Sequence, residues 1–350
     1  MQARRLRGFR ELTFALLLAP LLATVAARAA TAAPLVASVD EVALTVSDAD
    51  QAASFYKDVL GFSPVSDGES ASEAGERLEG VFGARVRAIR MHLGDERVVL
   101  MQFLAPTGRP ISPDQRSNDG GFQHLAIVVS DMDAAYRRLR EHHVRHVSNG
   151  PQTLPAWNKA AGGIRAFYFA DPDGHTLELI WFPPGKGDPR WQRPQPPLFQ
   201  GIDHTAIGVL DTEASLRLYR DRLGLRVVGT SDNHGTEQEH LNAVFGAHLR
   251  ITGLRAAKGP GIELLEYLSP RDGRPGPADL RANDLLHWQT TLKVDHTDAA
   301  LKASISAAAR PVSSGVVRLA DVPVVPFVPL GGKEGTLVRD PDGHALLFVN

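Results

Sequence analysis

Val39-Asp40-Glu41-Val42-Ala43-Leu44 and Ile202-Asp203-His204-Thr205-Ala206-Ile207 lie over one another at an offset of 163 residues. Downstream of each stretch the correspondence continues. Tyr56 with Leu60-Gly61 matches Tyr219 with Leu223-Gly224, and Val81-Phe82-Gly83-Ala84 matches Val244-Phe245-Gly246-Ala247. Further on, Asn118-Asp119 meets Asn283-Asp284, and Asp171-Pro172-Asp173-Gly174-His175 meets Asp340-Pro341-Asp342-Gly343-His344. Similarity at a fixed period marks repeated structural units, so the two halves are duplicates, assigned to residues 36–184 and 199–350. Between them Pro183, Pro184, Pro189, Pro194, Pro196 and Pro197 crowd together with Gly185 and Gly187. That composition favours an extended connection and blocks a helix or inner strand; the linker is placed at 185–198.

A shorter repeat runs inside each half: an alternating strand, an aspartate that can cap a helix, an amphipathic helix, then further strands. Val42, Leu44 and Val46 share one strand face, the pattern of a sheet covered on one side by a helix. Asp48 opens that helix, in which Ala52, Phe55, Tyr56, Val59 and Leu60 fall on one face and Gly61 ends the run. The opposite strand face is polar or small in every copy: Glu41/Ala43/Thr45, His124/Ala126/Val128, His204/Ala206/Gly208 and Gln289/Thr291/Lys293. Such faces are expected to line a cavity rather than a core.

The chain of 350 residues is 43% hydrophobic and 22% charged, which fits a globular protein of about two domains. Arg4, Arg5, Arg7 and Arg10 precede an apolar run from Leu12 to Ala27, and Ala27-Arg28-Ala29 offers the small residues of a cleavage site. Residues 1–29 therefore read as a secretory signal, too short and too broken by Pro20 to stay as a spanning helix. A periplasmic or secreted protein with no membrane attachment after cleavage is expected. Its loss removes five arginines and one glutamate and takes the formal net charge from −2 to −6, which argues against a nucleic-acid partner. With no cysteine, disulfides and thiolate metal sites are excluded, and histidine, carboxylate and amide oxygen remain as metal donors.

A strand with a ligand-type residue, a helix ending in Tyr-x-x-x-Leu-Gly and a closing Asp-Pro-Asp-Gly turn resemble the vicinal oxygen chelate superfamily, which includes glyoxalase I, extradiol dioxygenases and bleomycin-resistance proteins. The resemblance covers nearly all of residues 38–350. It implies an α+β fold of four βαβββ modules paired into two domains, each a curved mixed sheet forming a cup, and a possible homodimer. Family ligands sit on the first and last strand of each module. Carried over, they give Glu41, Gln102, His124 and Glu178 in the first half, and His204, Glu266 and Gln289 in the second, where Leu347 offers no donor. His287 replaces Gln289 if the alignment slips by two residues, which keeps the strand face. The set implies a divalent metal, zinc, iron(II), manganese or nickel, holding a small oxygen-rich substrate, with Glu178 or Glu41 as proton carrier. Against the glyoxalase I quartet of one Gln, one His and two Glu, Gln and Glu are exchanged within the first module. Members of the family isomerise, cleave, oxygenate or only bind, so a lyase, an isomerase, a dioxygenase, a metal-free binding or resistance protein and a protein with vestigial cups all stay open. His175 and His344 read as turn residues, His142, His143 and His146 as a solvated helix end, and Trp157-Asn158-Lys159 as a surface loop.

Overall fold

A computed structural model describes residues 33–319, 328–329 and 332–350; the expected signal at 1–29 lies outside them. Module one runs β1 (Val36–Thr45), α1 (Ala49–Asp58), β2 (Ser63–Ser70), α2 (Glu73–Glu79), β3 (Arg85–Leu93) and β4 (Glu96–Ala105). Module two runs β5 (Gln123–Val129), α3 (Met132–Glu141), the short β6 (Arg145–His146) and β7 (Gln152–Thr153), then β8 (Arg165–Ala170) and β9 (Thr176–Trp181). Module three is β10 (Phe199–Val209), α4 (Thr212–Tyr219), β11 (Arg226–His234), α5 (Thr236–Asn242), β12 (His248–Arg255) and β13 (Gly261–Ser269). Module four is β14 (Trp288–Val294), α6 (Thr297–Ser306), β15 (Arg310–Pro311), β16 (Val317–Arg318), β17 (Glu334–Arg339) and β18 (Ala345–Val349).

The expected helix forms as its sequence dictates. Asp48 accepts from the amides of Asp50 and Gln51, satisfying donors that have no partner within the helix. Asp131 and Asp211 cap α3 and α4 in the same way. Val42, Leu44 and Val46 bury against Ala52, Tyr56, Val59 and Leu60, and the matching faces of β5 and β9 with α3 complete one core between the two sheets. The repeated tyrosines tie helices to turns: Tyr219 donates to Asp340 at 2.9 Å and Tyr56 reaches Asp171 at 3.5 Å.

In each module the first strand pairs parallel with the last, and first strands of two modules pair antiparallel. The partners are not those of one sequence half. One sheet has the order β15-β17-β18-β14-β1-β4-β3-β2, modules four and one; the other has β11-β12-β13-β10-β5-β9-β8-β6, modules three and two. This corrects the grouping of Glu41 and Gln102 with His124 and Glu178, because the first pair belongs to another sheet.

The cause lies in the two connections between sheets, residues 106–122 and 270–287, which run against each other. Arg109 binds Asp284 through Nη2 at 2.7 Å and Asp279 through Nη1 at 3.0 Å, and Arg274 makes the equivalent pairs with Asp119 and Asp114. The Asn-Asp repeat seen in the sequence is the anchor of this crossing. Gly108 and Gly273 let the backbones touch: a Cβ there would stand 1.9 Å from the carbonyl oxygen of Asn283 and 1.8 Å from that of Asn118. Replacing either glycine by alanine is therefore expected to cost about 2 kcal/mol or more, measured by urea unfolding of the full chain, with Gly83→Ala, where no atom lies within 4 Å but φ is +69°, as the comparison for backbone strain alone.

Candidate metal centre

The β5–β10 pairing sets His124 opposite Ala206 and Ala126 opposite His204, an arrangement symmetric about the strand pair. Parallel neighbours extend it: Glu178 stands beside Ala126 on β9 and Glu263 beside Ala206 on β13. Each row across the sheet thus reads glutamate, alanine, histidine. Both alanines are fully buried and have no bulk above Cβ, so the four longer side chains can approach one another over them.

Donor atoms of His124, Glu178 and His204 all lie within 4.8 Å of one another. Nε2 of His124 is 3.1 Å and Nε2 of His204 3.6 Å from Oε2 of Glu178, and Glu263 Oε2 is 3.4 Å from Nε2 of His204. Despite these distances, both ring nitrogens of His124 and Nε2 of His204 are buried without an aligned hydrogen bond. A buried nitrogen without a partner is costly. These donors point at a shared space rather than at each other, which is the fit expected of ligands to one divalent ion.

The electrostatics agree with a cation site. Burial raises the Glu178 carboxyl, but the two imidazoles outweigh it and hold the group at about 2. Burial opposes a charge on His204, yet the carboxylates of Glu263, Asp203 and Glu178 raise its proton affinity well above the usual value. Low-polarity surroundings raise Glu263, with Glu178 and Asp203 adding repulsion. Asp203 fixes the ring of His204 through Nδ1 at 3.0 Å, and is itself held by Trp191 Nε1 at 3.0 Å and Arg255 Nη2 at 2.9 Å. Trp191 comes from the proline-rich connection, so that segment supports a site residue.

The sequence pattern of the glyoxalase/bleomycin resistance protein/dioxygenase superfamily matches residues 38–179 and 201–348. The chain belongs to this superfamily. Among similar proteins, 2-epi-5-epi-valiolone epimerase of an Actinomyces species is 35% identical over 157 residues, 43% of this chain and 83% of the relative. Human mitochondrial methylmalonyl-CoA epimerase is 32% identical over 112 residues, 31% of this chain and 56% of that one. Maize glyoxalase I shares the fold, with a TM-score of 0.56 at 15% identity, covering 89% of this chain and 92% of the maize chain.

Within this superfamily member the ligand positions expected from sequence separate into three groups. His124, Glu178 and His204 meet in one cup, although His204 comes from the other half of the sequence. Gln102 and Glu266 do not reach a cup. Gln102 accepts from the amide of Ala49 at 3.2 Å and Glu266 from that of Thr212 at 3.2 Å, both at helix starts. They lie three residues beyond Val99 and Glu263, and an odd slip turns a side chain to the other face. Glu263 was missed, although Ile262-Glu263-Leu264-Leu265 repeats Leu177-Glu178-Leu179-Ile180 and could have revealed it.

Glu41 and Gln289 face the second cup, where Val99 and Leu347 stand in the places of the two glutamates. Glu41 is claimed by Arg90, with Nε at 2.8 Å and Nη2 at 3.1 Å, and both residues are buried. The guanidinium supplies the cation there. Ala43, Val99, Met101 and Leu347 pack with Leu78 and Val81 into an apolar core, which covers this face among the described residues. Glu41 is thus tied to Arg90 and stands apart from the His124–Glu178–His204 cluster. His287 lies beside Gln289, 3.2 Å from its Oε1, and burial with the nearby Arg339 charge lowers it to about 3. Both alternatives for that position therefore sit in the cup without carboxylate ligands. His175 meets Asp171 in its own turn through Nδ1 at 2.8 Å, but through Nε2 it and His344 reach beyond their turns to the distant carbonyls of Leu285 and Gly208.

Asp203→Asn is expected to weaken metal binding by about 10–100-fold, measured by competition with a chromophoric zinc chelator. Arg90→Ala, which strands the buried Glu41, is expected to lower stability by about 3–5 kcal/mol in urea unfolding, without changing metal content. Burial also pushes Glu79, in the same cup, to about 8 from an ordinary 4.5. The folded chain then holds a proton that the unfolded chain releases, so stability falls as pH rises between those values. Glu79→Gln is expected to flatten that fall in a series of urea melts.

Proposed function

We propose that this chain is an exported, metal-dependent enzyme that removes and returns a proton at a carbon beside chelating oxygens of a small, oxygen-rich substrate. The observation that carries it is the His124–Glu178–His204 cluster with Glu263 beside it and histidine nitrogens left without hydrogen bonds. One imidazole pair and one or two carboxylates suit zinc, iron(II), manganese or nickel. Such an ion would supply Lewis-acid stabilisation of charge developing on substrate oxygen.

The protein's own share follows from its carboxylates. Glu178 and Glu263 occupy symmetric places on β9 and β13 and approach the same histidine, so a substrate carbon between them could meet a base on either side. That is the requirement of an epimerase, and two of the similar proteins carry that name. Their side chains differ in access: 29% exposed for Glu263 and 7% for Glu178. Glu263 is thus assigned the exchange with solvent, and Glu178 the inner position. Export rests on the basic start, apolar run and Ala27-Arg28-Ala29. Among the described residues no helix is long and apolar enough to cross a membrane.

Metal analysis of the purified chain should find about one divalent ion per chain, and His124→Ala should remove it while the far-UV spectrum stays unchanged. With a panel of 2-hydroxyketones and 2-methylacyl thioesters in D2O, deuterium should enter the carbon beside the carbonyl, and Glu263→Gln should slow this by about 10²–10⁴-fold. A metal-free wild type that still binds small molecules would support the resistance-protein alternative instead. N-terminal sequencing of protein from the exported fraction should begin near Ala30; intact Met1 in the cytosol would refute export.

A further inference from the structure

In every module the strand before the last pairs antiparallel with it, and the residue set against the cup-facing position of the last strand differs in each: Arg90 against Val99, Tyr168 against Glu178, Gly253 against Glu263 and Leu337 against Leu347. In the metal-centre cup the two flanks are therefore unlike. On one side Tyr168 is buried, its ring 4.8 Å from that of His124 and stacked over Phe122. On the other there is no side chain. A Cβ at Gly253 would meet Val228 at 3.5 Å and Glu263 Oε1 at 4.0 Å, both ordinary contacts, and Gly229, its partner on β11, has nothing within 4 Å. Where the first module spends this position on Arg90, the third leaves it empty.

Exposure follows the same asymmetry. The side chains of His124, His204 and Glu178 are 1%, 4% and 7% exposed, against 29% for Glu263. Leu241, Val244 and Leu249 are buried in one cluster with Tyr168 and Ala206, and Ile180 and Trp191 in another with Ala126. Val227 and Val228, by contrast, are exposed apolar residues on the strand that carries Gly229.

We infer that Gly253, with Gly229 behind it, is the specificity-determining opening through which the substrate reaches the centre, and that the substrate's non-chelating part is a slender apolar group laid along Val228. This rests on the metal-centre reading above. The two glycines admit a chain across the β11–β12 hairpin that any larger residue would obstruct. Neither shows the positive φ that would make a side chain strained, so substitution tests the opening rather than the backbone.

The full chain loaded with cobalt(II) would be titrated with acetohydroxamate and with octanohydroxamate, bidentate oxygen probes without and with an unbranched apolar tail, following the visible cobalt bands and calorimetric heat. Octanohydroxamate is expected to bind the wild type more tightly than acetohydroxamate. Gly253→Leu is expected to keep cobalt stoichiometry and thermal midpoint but to weaken octanohydroxamate at least tenfold, and Val228→Asp to weaken it several-fold while leaving acetohydroxamate within twofold. Octanohydroxamate binding to Gly253→Leu within twofold of wild type would overturn the opening, as would cobalt-loaded wild type that binds neither probe. Failure of the wild type to take up cobalt would instead overturn the metal-centre reading, and the opening with it. If Gly253→Leu loses cobalt, Gly253→Ala decides: unchanged affinity for the tailed probe at full cobalt content counts against the opening.

Discussion

The antiparallel pairing of β5 with β10 is the constraint on which the rest depends. Because that ladder sets His124 opposite Ala206 and Ala126 opposite His204, two histidines and two small residues alternate around one point. The parallel neighbours β9 and β13 then bring Glu178 and Glu263 to the same height. Three donors from three strands converge, with Glu263 on a fourth strand beside His204, without any loop having to be held in place, and strands are the more rigid platform for such a set. A shift of one residue in that ladder would turn the histidines into the helix-facing core.

The same ladder exists in the other sheet, where β1 pairs with β14, yet its chemistry has gone elsewhere. Glu41 keeps a carboxylate at the position of His204, and Arg90 answers it from the position that Gly253 leaves open in the metal-centre cup. One fold unit thus satisfies its buried charge with a guanidinium, and its copy leaves histidine nitrogens without a partner. The cup around Glu41 is packed with Leu78, Val99, Met101 and Leu347.

The crossing connections contribute the choice of partners. Arg109 and Arg274 each clamp the opposite connection through partly buried aspartates, and glycine at 108 and 273 lets the two chains touch. The proline-rich segment joins modules two and three within one sheet, and there it supplies Trp191 to the Asp203–His204 pair. A connection that looks like a spacer in sequence is in this way part of the support of a site residue.

Sequence alone determined the duplication, the module order, the capped helix with its Ala52–Tyr56–Leu60 face, and the family, because alternation, capping and repeated turns are local patterns that need no knowledge of partners. It also singled out His124, Glu178 and His204 as residues of ligand type on cup-facing strands. Only the tertiary structure decided that these three share one cup while Glu41 and Gln289 face the other, since strand partnership between modules depends on where distant connections cross. It likewise moved the cup-facing position from Glu266 to Glu263: parity on a strand is absolute, but the place from which to count is set by pairing with β10. The loss of Glu41 to Arg90 was legible nowhere in the sequence, because the two residues are 49 apart and meet only across β1, β4 and β3.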